Sequence, residues 1–243
     1  SSDLSRSDST RLIKAVMSLL QDLVIASRTC AEHGVIDAYG HVSVRSDTSP
    51  DRYWMARAVA PELITEDDLL EFDLDSNRIQ ERGPAAYNER YIHGEIYKAR
   101  PDVMAVVHAH SSEVIPFADT GVPLRPMHHM GFFIGAGVPV WDIKKAAGET
   151  DILVGNAMLG KALAQALGDK SAVLMRGHGD AVAAPSLKLV VGMAYYLNLN
   201  ARLQYQALQL GGGKVTYLDT EESKKAVQSY ERSWDYWKFR LPK

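Results

Sequence analysis

The stretch "NERYIHGEIYKARPDVMAVVHAHS", residues 88–111, decides the fold. Its first half, together with Tyr87, repeats apolar residues at helical spacing and stops before Pro101, because the residue before a proline is pushed out of the α region. This predicts a helix over residues 87–100. The second half is an apolar run from Val103 that ends in His-x-His, which predicts a strand. The short turn between the two folds the helix back onto the strand.

The flanking sequence supplies the other predicted elements. Apolar residues at intervals of three and four follow the N-capping stretch "SDST" and predict a helix over residues 11–32. The remaining elements are predicted strands over 42–46, 53–59, 69–75, 132–141 and 171–176, a helix over 152–169, and a long helix from 185 to the glycines at 211–213. Because only turn residues separate the first three strands, we expect them to be antiparallel neighbours.

These elements predict one α/β domain over residues 1–243, without internal repeats or a low-complexity linker. Its central sheet is expected to be mixed and mainly antiparallel, with helices covering both faces. Residues 1–10 form a predicted polar N-terminal tail, and residues 214–243 form a predicted C-terminal extension.

Composition restricts the classes of partner. The chain has 243 residues, of which 46% are hydrophobic, and a formal charge of −3, so neither nucleic acid nor an anionic membrane is an expected partner. Its single cysteine, Cys30, has no second cysteine to pair with, and any metal site must be built from His, Asp and Glu. No apolar run reaches the ~18 residues that span a bilayer, and the N-terminus is polar. These features predict a cytoplasmic location.

His108 and His110 are candidate metal ligands. In a strand they point to the same face, about 7 Å apart along the chain, and imidazoles at that spacing can converge on one ion. A third ligand is needed, and His178 in "MRGHGD" is the best candidate, because the glycines on either side of it permit a sharp turn and a close approach. The alternative is a polar strand end and an unrelated loop histidine.

Glu89 and His93 are four residues apart and therefore share one face of the predicted helix. The turn at 100–102 folds that face toward the strand of His108, where a carboxylate would act as a further ligand or as a general acid and base. The alternative is a surface pair that stabilises the helix by a few tenths of a kcal/mol, roughly.

Three other positions are candidate substrate contacts. His41 and Ser43 follow Gly40 at the entry to a predicted strand, where a tight turn can present donors to an anion. An ordinary β-turn with incidental polar residues is the alternative. Arg176 ends a predicted buried strand, so we expect a carboxylate partner for it from the protein or from the substrate.

Three segments in this order resemble the class II aldolase/adducin family. They are "GHVSVR" at 40–45, the stretch at 88–111 quoted above, and "LMRGHG" at 174–179, which precedes a long helix. The resemblance implies a single αβα-layered domain, a homotetramer, and active sites at subunit interfaces. It implies one divalent ion per subunit, held by His108, His110 and His178, with Glu89 as acid/base or additional ligand. Three imidazoles suit several divalent ions. Mn²⁺ and Zn²⁺ are the predicted ions, and Fe²⁺ and Co²⁺ are the alternatives.

Departures from the sugar-phosphate aldolases of that family point to another reaction. Where those enzymes are expected to cradle a phosphate, this chain has Gly40-His41, "RAVAPEL" at 57–63, and Tyr87-Asn88. The pattern resembles the decarboxylase branch, which includes the dihydroxyphthalate decarboxylases and 3-hydroxy-2-methylpyridine-4,5-dicarboxylate decarboxylase.

The predicted function is therefore metal-dependent decarboxylation of a small hydroxylated aromatic carboxylate or dicarboxylate, with a benzene or pyridine ring. Glu89 and His93 are the predicted catalytic residues; His41, Ser43, Arg176 and Tyr195 are the predicted substrate contacts. Tyr195 and the aromatic tail at 230–237 either cover a neighbouring subunit's cleft or pack on their own subunit. The alternatives are an aldolase or dehydratase acting on a non-phosphorylated hydroxy-carbonyl compound and a non-catalytic adducin-like scaffold.

Overall fold

The computed structural model describes residues 2–80 and 82–242. The helices are α1 (Ser2–Glu32), α2 (Arg90–Ala99), α3 (Ile115–Thr120), α4 (Ile143–Ala147), α5 (Ala157–Leu167), α6 (Leu187–Leu210), α7 (Thr220–Lys225) and α8 (Glu231–Arg240). The strands are β1 (His41–Arg45), β2 (Arg52–Ala56), β3 (Leu69–Asp73), β4 (Ala105–Ala109), β5 (Val140–Trp141), β6 (Ala172–Met175) and β7 (Gly179–Ala184). Short 3-10 helices cover Pro61–Leu63, Glu66–Asp68 and His129–Ile134.

The seven strands form one sheet in the order β3-β2-β1-β4-β7-β6-β5. Neighbouring strands are antiparallel except β5 and β6, which are parallel. The predicted mixed, mainly antiparallel sheet is confirmed, as is the antiparallel run of β1, β2 and β3. Every residue of β1, β4, β6 and β7 is buried, so these four strands form the centre of the core.

The two ends of the chain are more helical than the sequence predicts. Helix α1 begins at Ser2 rather than at Arg11, so the segment predicted as a polar tail has helical backbone. Residues 2–10 contain neither glycine nor proline, and nothing in them stops the helix. In the C-terminal extension, Trp237 of α8 packs against Tyr195 of α6, with ring centroids 5.1 Å apart. Within the described chain, this tail therefore packs on its own subunit.

The predicted strand over 132–141 is wrong. Only Val140 and Trp141 are in a strand, and the segment before them begins as a 3-10 helix. Gly135 and Gly137 have φ values of 53° and 130°, which turn the backbone out of an extended path. Strand β7 was not predicted from the sequence, because Val182 is its single β-branched residue and the others are glycine, aspartate and alanine.

Helix α2 is fixed to the sheet by Arg45, which is 5% exposed. Its guanidinium donates to the carbonyl oxygens of Val103, Tyr97 and Arg100 at 3.0, 2.6 and 3.2 Å. It also lies 4.8 Å from the centre of the Tyr97 ring. Two of these carbonyls belong to the C-terminal end of α2, where cations are favourable and carbonyls lack helical partners.

We expect Arg45→Lys to lower the free energy of unfolding by about 2–3 kcal/mol, because an ammonium group cannot reach all these carbonyls and buried acceptors would lose their donors. Urea denaturation measures the change. Arg52→Lys is the control, because Arg52 is 39% exposed and pairs with Glu71 at 3.5 Å. An equal effect of the two substitutions would contradict the proposed anchoring role of Arg45.

Candidate metal centre

The candidate centre lies where β4 and β7 pair. Ala109 is opposite Asp180 in the antiparallel register, so the two histidines on either side of Ala109 lie close to the start of β7. His178 immediately precedes β7, in a turn where Gly177 has a φ of 64°. Glu89 is the N-cap residue of α2, which packs over the sheet. Four candidate ligands thus come from three separate segments of the chain.

Glu89, His108, His110 and His178 each offer one ligand atom, and all four atoms lie within 4.8 Å of one another. The Nε2 atoms of His110 and His178 are 3.2 Å apart. Glu89 Oε2 is 3.6 Å from His108 Nε2 and 3.3 Å from His178 Nε2. The structure therefore brings together the three predicted metal ligands and the predicted carboxylate.

Hydrogen bonds on the far side of each ring identify the nitrogen that carries the proton when the ring is neutral. The Nδ1 atoms of His108 and His178 lie 2.9 and 3.0 Å from the main-chain oxygens of Asp180 and Ile152. His110 Nδ1 lies 3.0 Å from a carboxylate oxygen of Asp37. Because these oxygens only accept, each Nδ1 donates, and each neutral ring turns the lone pair of Nε2 toward the cluster.

This arrangement fits a cation. Two lone pairs at 3.2 Å repel each other unless a proton or a metal ion lies between them, and within the described residues the buried His108 Nε2 has no hydrogen-bond partner. Metal-binding histidines in general donate their other ring nitrogen to a carbonyl or a carboxylate, as all three do here. One carboxylate and three imidazoles form a donor set that suits a divalent transition-metal ion.

Glu89 adds the negative charge. Its Oε1 accepts from the backbone N–H of Val154 at 2.8 Å, which leaves Oε2 facing the histidines. Burial alone would raise the pKa of Glu89, but positive charge on its facing side, from a proton on Nε2 of His108 or His178, outweighs burial and holds the pKa well below its ordinary value. A bound cation at the same place acts in the same direction. The carboxylate is therefore ionised at neutral pH.

Gly179 permits the approach of His178 to the β4 histidines. A Cβ at this position would overlap the carbonyl oxygen of Ala109 and would lie 3.0 Å from the Cα of His110. The glycine that follows His178 in the sequence is thus required by the close contact between the two backbones.

We expect Gly179→Ala to lower the free energy of unfolding by about 1–3 kcal/mol through overpacking, and to weaken metal binding by displacing His178. Chemical denaturation and metal titration measure the two effects. Gly155→Ala is the control, because the nearest atom to its added Cβ would be 3.8 Å away. Unchanged metal affinity in Gly179→Ala would show that the contact does not position His178.

Next to the cluster lies a buried chain of polar side chains. His41 Nδ1 is 2.7 Å from His93 Nε2, and His93 Nδ1 is 2.6 Å from Ser43 Oγ. Ser43 Oγ is also 2.7 Å from the Tyr97 hydroxyl. The ring centroids of His41 and His108 are 5.1 Å apart, so the chain begins beside the candidate ligands. Mainly because it is buried, and also because of nearby His108, His93 has its pKa lowered to about 3.

The structure separates the other predicted site residues. His93 lies behind His41 and does not belong to the four-residue cluster. Arg176 Nε donates to Asp142 at 2.8 Å, so the expected carboxylate partner comes from the protein. Tyr195 contacts His33, Tyr196 and Trp237, as part of the aromatic packing between α6 and α8.

Two aspartates that contact the candidate ligands were not predicted from the sequence. Asp37 bonds to His110, and Asp180 bonds to His108 through its main-chain oxygen while its carboxylate accepts from Ser111 at 2.7 Å. Burial raises the pKa of Asp180 to about 7. Both aspartates lie close in sequence to positions that the motifs single out, and this proximity could have indicated them. Asp180 follows His178 by two residues, and Asp37 precedes Gly40 in a turn.

Comparison with known proteins agrees with this fold. The family described as Class II Aldolase and Adducin N-terminal domain matches residues 21–205. Decarboxylase tropJ of Talaromyces stipitatus is 39% identical over 84% of this chain and 87% of its own length. The 3,4-dihydroxyphthalate decarboxylase of Arthrobacter keyseri is 32% identical over 82% of each. The chain belongs to the class II aldolase and adducin family.

Solved structures share the fold at low sequence identity. An L-fuculose 1-phosphate aldolase superposes with a TM-score of 0.72 and 22% identity, covering 89% of this chain and 96% of its own. An aldolase II superfamily protein from Pseudomonas syringae gives a TM-score of 0.76 and 21% identity over 92% of each chain. In the described part of the chain, no helix has the length and apolar character needed to cross a membrane.

Proposed function

We propose that this chain is a carbon–carbon lyase that uses a divalent metal ion to decarboxylate a small hydroxylated aromatic carboxylate. The observation that carries the proposal is the convergence of three Nε2 lone pairs and one carboxylate within 4.8 Å. The names of two relatives that are 39% and 32% identical, both decarboxylases, support the choice of reaction.

The surroundings of the cluster support a substrate without a phosphate group. Arg57, the cation in the segment 57–63, is paired with Asp68 at 2.6 Å. The Tyr87 ring packs 4.5 Å from the His41 ring, and its hydroxyl donates to the carbonyl of Val59. An aromatic wall and an already paired guanidinium suit a flat ring better than a phosphate.

His108, His110 and His178 would hold the ion, with Glu89 as a fourth ligand or as acid and base. A bound divalent ion supplies a Lewis acid that stabilises the negative charge developing next to the breaking bond. In the overall reaction the bond between ring and carboxylate breaks, CO₂ leaves, and the electron pair stays on the ring carbon. That carbon then takes one proton, so the site must also deliver a proton.

In this proposal two groups handle that proton. Glu89 Oε2 faces the ligands while Oε1 is fixed by Val154, so a single oxygen is directed at the reacting region. His41 is the second group, because its ring lies beside both His108 and Tyr87. In this proposal His93 acts through His41 and is a positioning residue.

The hydrogen-bond chain is compatible with two neutral tautomers of His41. If Tyr97 donates to Ser43, Ser43 to His93, and His93 to His41, then His41 carries its proton on Nε2. If every donor in the chain reverses, His41 Nδ1 donates and its Nε2 presents a lone pair. His41 can therefore offer a donor or an acceptor without a change in net charge.

The test is release of CO₂ by the metal-loaded protein from hydroxylated aromatic carboxylates, with 3,4-dihydroxyphthalate as the first probe. An aldolase is the second candidate, favoured by a 27% identical 5-methylthioribulose-1-phosphate/5-deoxyribulose-1-phosphate aldolase from Rhodospirillum rubrum. Aldehyde release without CO₂ would support the aldolase. Purified protein that neither binds metal nor turns over either substrate class would overturn both proposals in favour of the scaffold.

The assembly state belongs to the same proposal. Membership of the family supports a homotetramer with the site at a subunit interface, and in this proposal Tyr39, which is 73% exposed two residues before His41, contacts a neighbouring subunit. Light scattering of the purified chain measures the mass in solution. A monomer with full activity would contradict a shared site.

A further inference from the structure

We propose that Asp37 is the positioning residue that holds His110 as a metal ligand and sets the affinity of the centre for its ion. The inference rests on the proposed metal site and adds a residue outside the ligand set. Asp37 lies in the turn between α1 and β1, whereas His110 follows β4, so the contact joins two segments that are distant in sequence.

The carboxylate of Asp37 is fixed by its own turn. Its Oδ1 accepts from the backbone N–H groups of Tyr39 and Gly40, each at 2.9 Å, and from His110 Nδ1 at 3.0 Å. The two backbone donors place the oxygen independently of the histidine. His110 therefore meets an acceptor whose position is already set.

His110 depends on this contact more than the other two ligands depend on theirs. The side chains of His108 and His178 are 0% and 6% exposed, so packing restricts both rings. The His110 side chain is 23% exposed. The other two rings donate to neutral main-chain carbonyls, whereas His110 donates to a carboxylate, and this charge-assisted hydrogen bond holds its ring more strongly.

The turn is also fixed against the strand that carries the ligands. A Cβ at Gly40 would lie 3.0 Å from the His108 carbonyl oxygen and 2.7 Å from the Ile36 Cβ, so glycine permits a close contact there. His41 then pairs with His108 in the sheet register. The turn thus touches the backbone of one ligand and the ring of another, which makes it a rigid support for His110.

The experiment compares metal binding by the whole chain and by Asp37→Asn, with Zn²⁺ and Mn²⁺ titrated against a chelating indicator. The amide keeps an oxygen for the turn and removes the charge. We expect the dissociation constant to rise by about 10- to 100-fold. Asp73→Asn is the matched control, because Asp73 accepts from Asn77 in a turn at the end of β3. Its affinity should equal that of the wild type.

Two further measurements distinguish the support of His110 by Asp37 from a general effect of Asp37 on folding stability. Urea denaturation of the metal-free proteins should show similar losses for Asp37→Asn and Asp73→Asn, while only the former weakens binding. In a His110→Ala background, Asp37→Asn should cause no further loss of affinity, because the ligand through which it acts is gone.

The outcomes are distinct. Equal metal affinity of Asp37→Asn and the wild type would overturn the role of Asp37, as would an undiminished effect in the His110→Ala background. A wild-type chain that binds neither ion would overturn the proposed metal site itself. Weaker binding that needs His110 supports the inference.

Discussion

Replacement of Glu89 by glutamine is expected to lower the turnover number by about 10²- to 10⁴-fold, the range typical for loss of a general acid or base. The amide has nearly the same shape and keeps an oxygen to accept from the Val154 N–H at 2.8 Å. It removes the negative charge that faces His108 and His178, and it removes the ability to exchange a proton. The rate of CO₂ release at saturating substrate measures the effect.

The metal content of Glu89→Gln then separates the two roles left open for this residue. Retained metal with lost turnover indicates an acid and base, whereas lost metal indicates a ligand. Glu95→Gln is the matched control on the same helix, because Glu95 is also buried but pairs with Lys98 at 2.6 Å. Full turnover by Glu89→Gln with metal still bound would refute both roles.

The site was predictable where it depends on local spacing. His108 is the last residue but one of β4 and His110 directly follows the strand, so the alternation of an extended backbone predicts both on one face. Glu89 approaches them because the short turn at 100–102 folds α2 back over β4. His178 was predicted as a ligand from the glycines on either side of it. Because it is far from His108 in sequence, spacing alone does not predict the contact between them. The contact depends on the pairing of β7 with β4, which brings the backbone at Gly179 against Ala109 and leaves no room for a side chain.

The remaining features depend on tertiary contacts that periodicity does not encode. Asp180 bonds to His108 through a main-chain oxygen, and any residue type offers that atom. The chain from His41 to Tyr97 joins β1 to α2, so neither sequence segment reveals it alone. The segment 132–141 looked like a strand because its apolar residues are continuous, but Gly135 and Gly137 adopt positive φ. Burial of apolar side chains does not require an extended backbone.

The other large effect is expected from His108→Asn, which removes the ligand atom while keeping the hydrogen bond behind it. His108 is fully buried, and its Nδ1 donates to the Asp180 carbonyl at 2.9 Å. The asparagine amide can make the same donation, but it has no group in place of Nε2. We therefore expect metal affinity to fall by more than the roughly 10- to 100-fold that loss of an outer contact costs.

Because the ion binds the folded protein, the loss of metal affinity also lowers the free energy of unfolding that is measured with the ion present. An ion present at 100 times its dissociation constant stabilises the folded protein by about 2.7 kcal/mol, and His108→Asn should lose this increment at the same ion concentration. Denaturation with and without Zn²⁺ or Mn²⁺ measures it, and His33→Asn, outside the cluster, should keep the wild-type increment. If His108→Asn were stabilised by the ion as strongly as the wild type, the bound metal would lie elsewhere. The lone pair of His108 would then need another explanation.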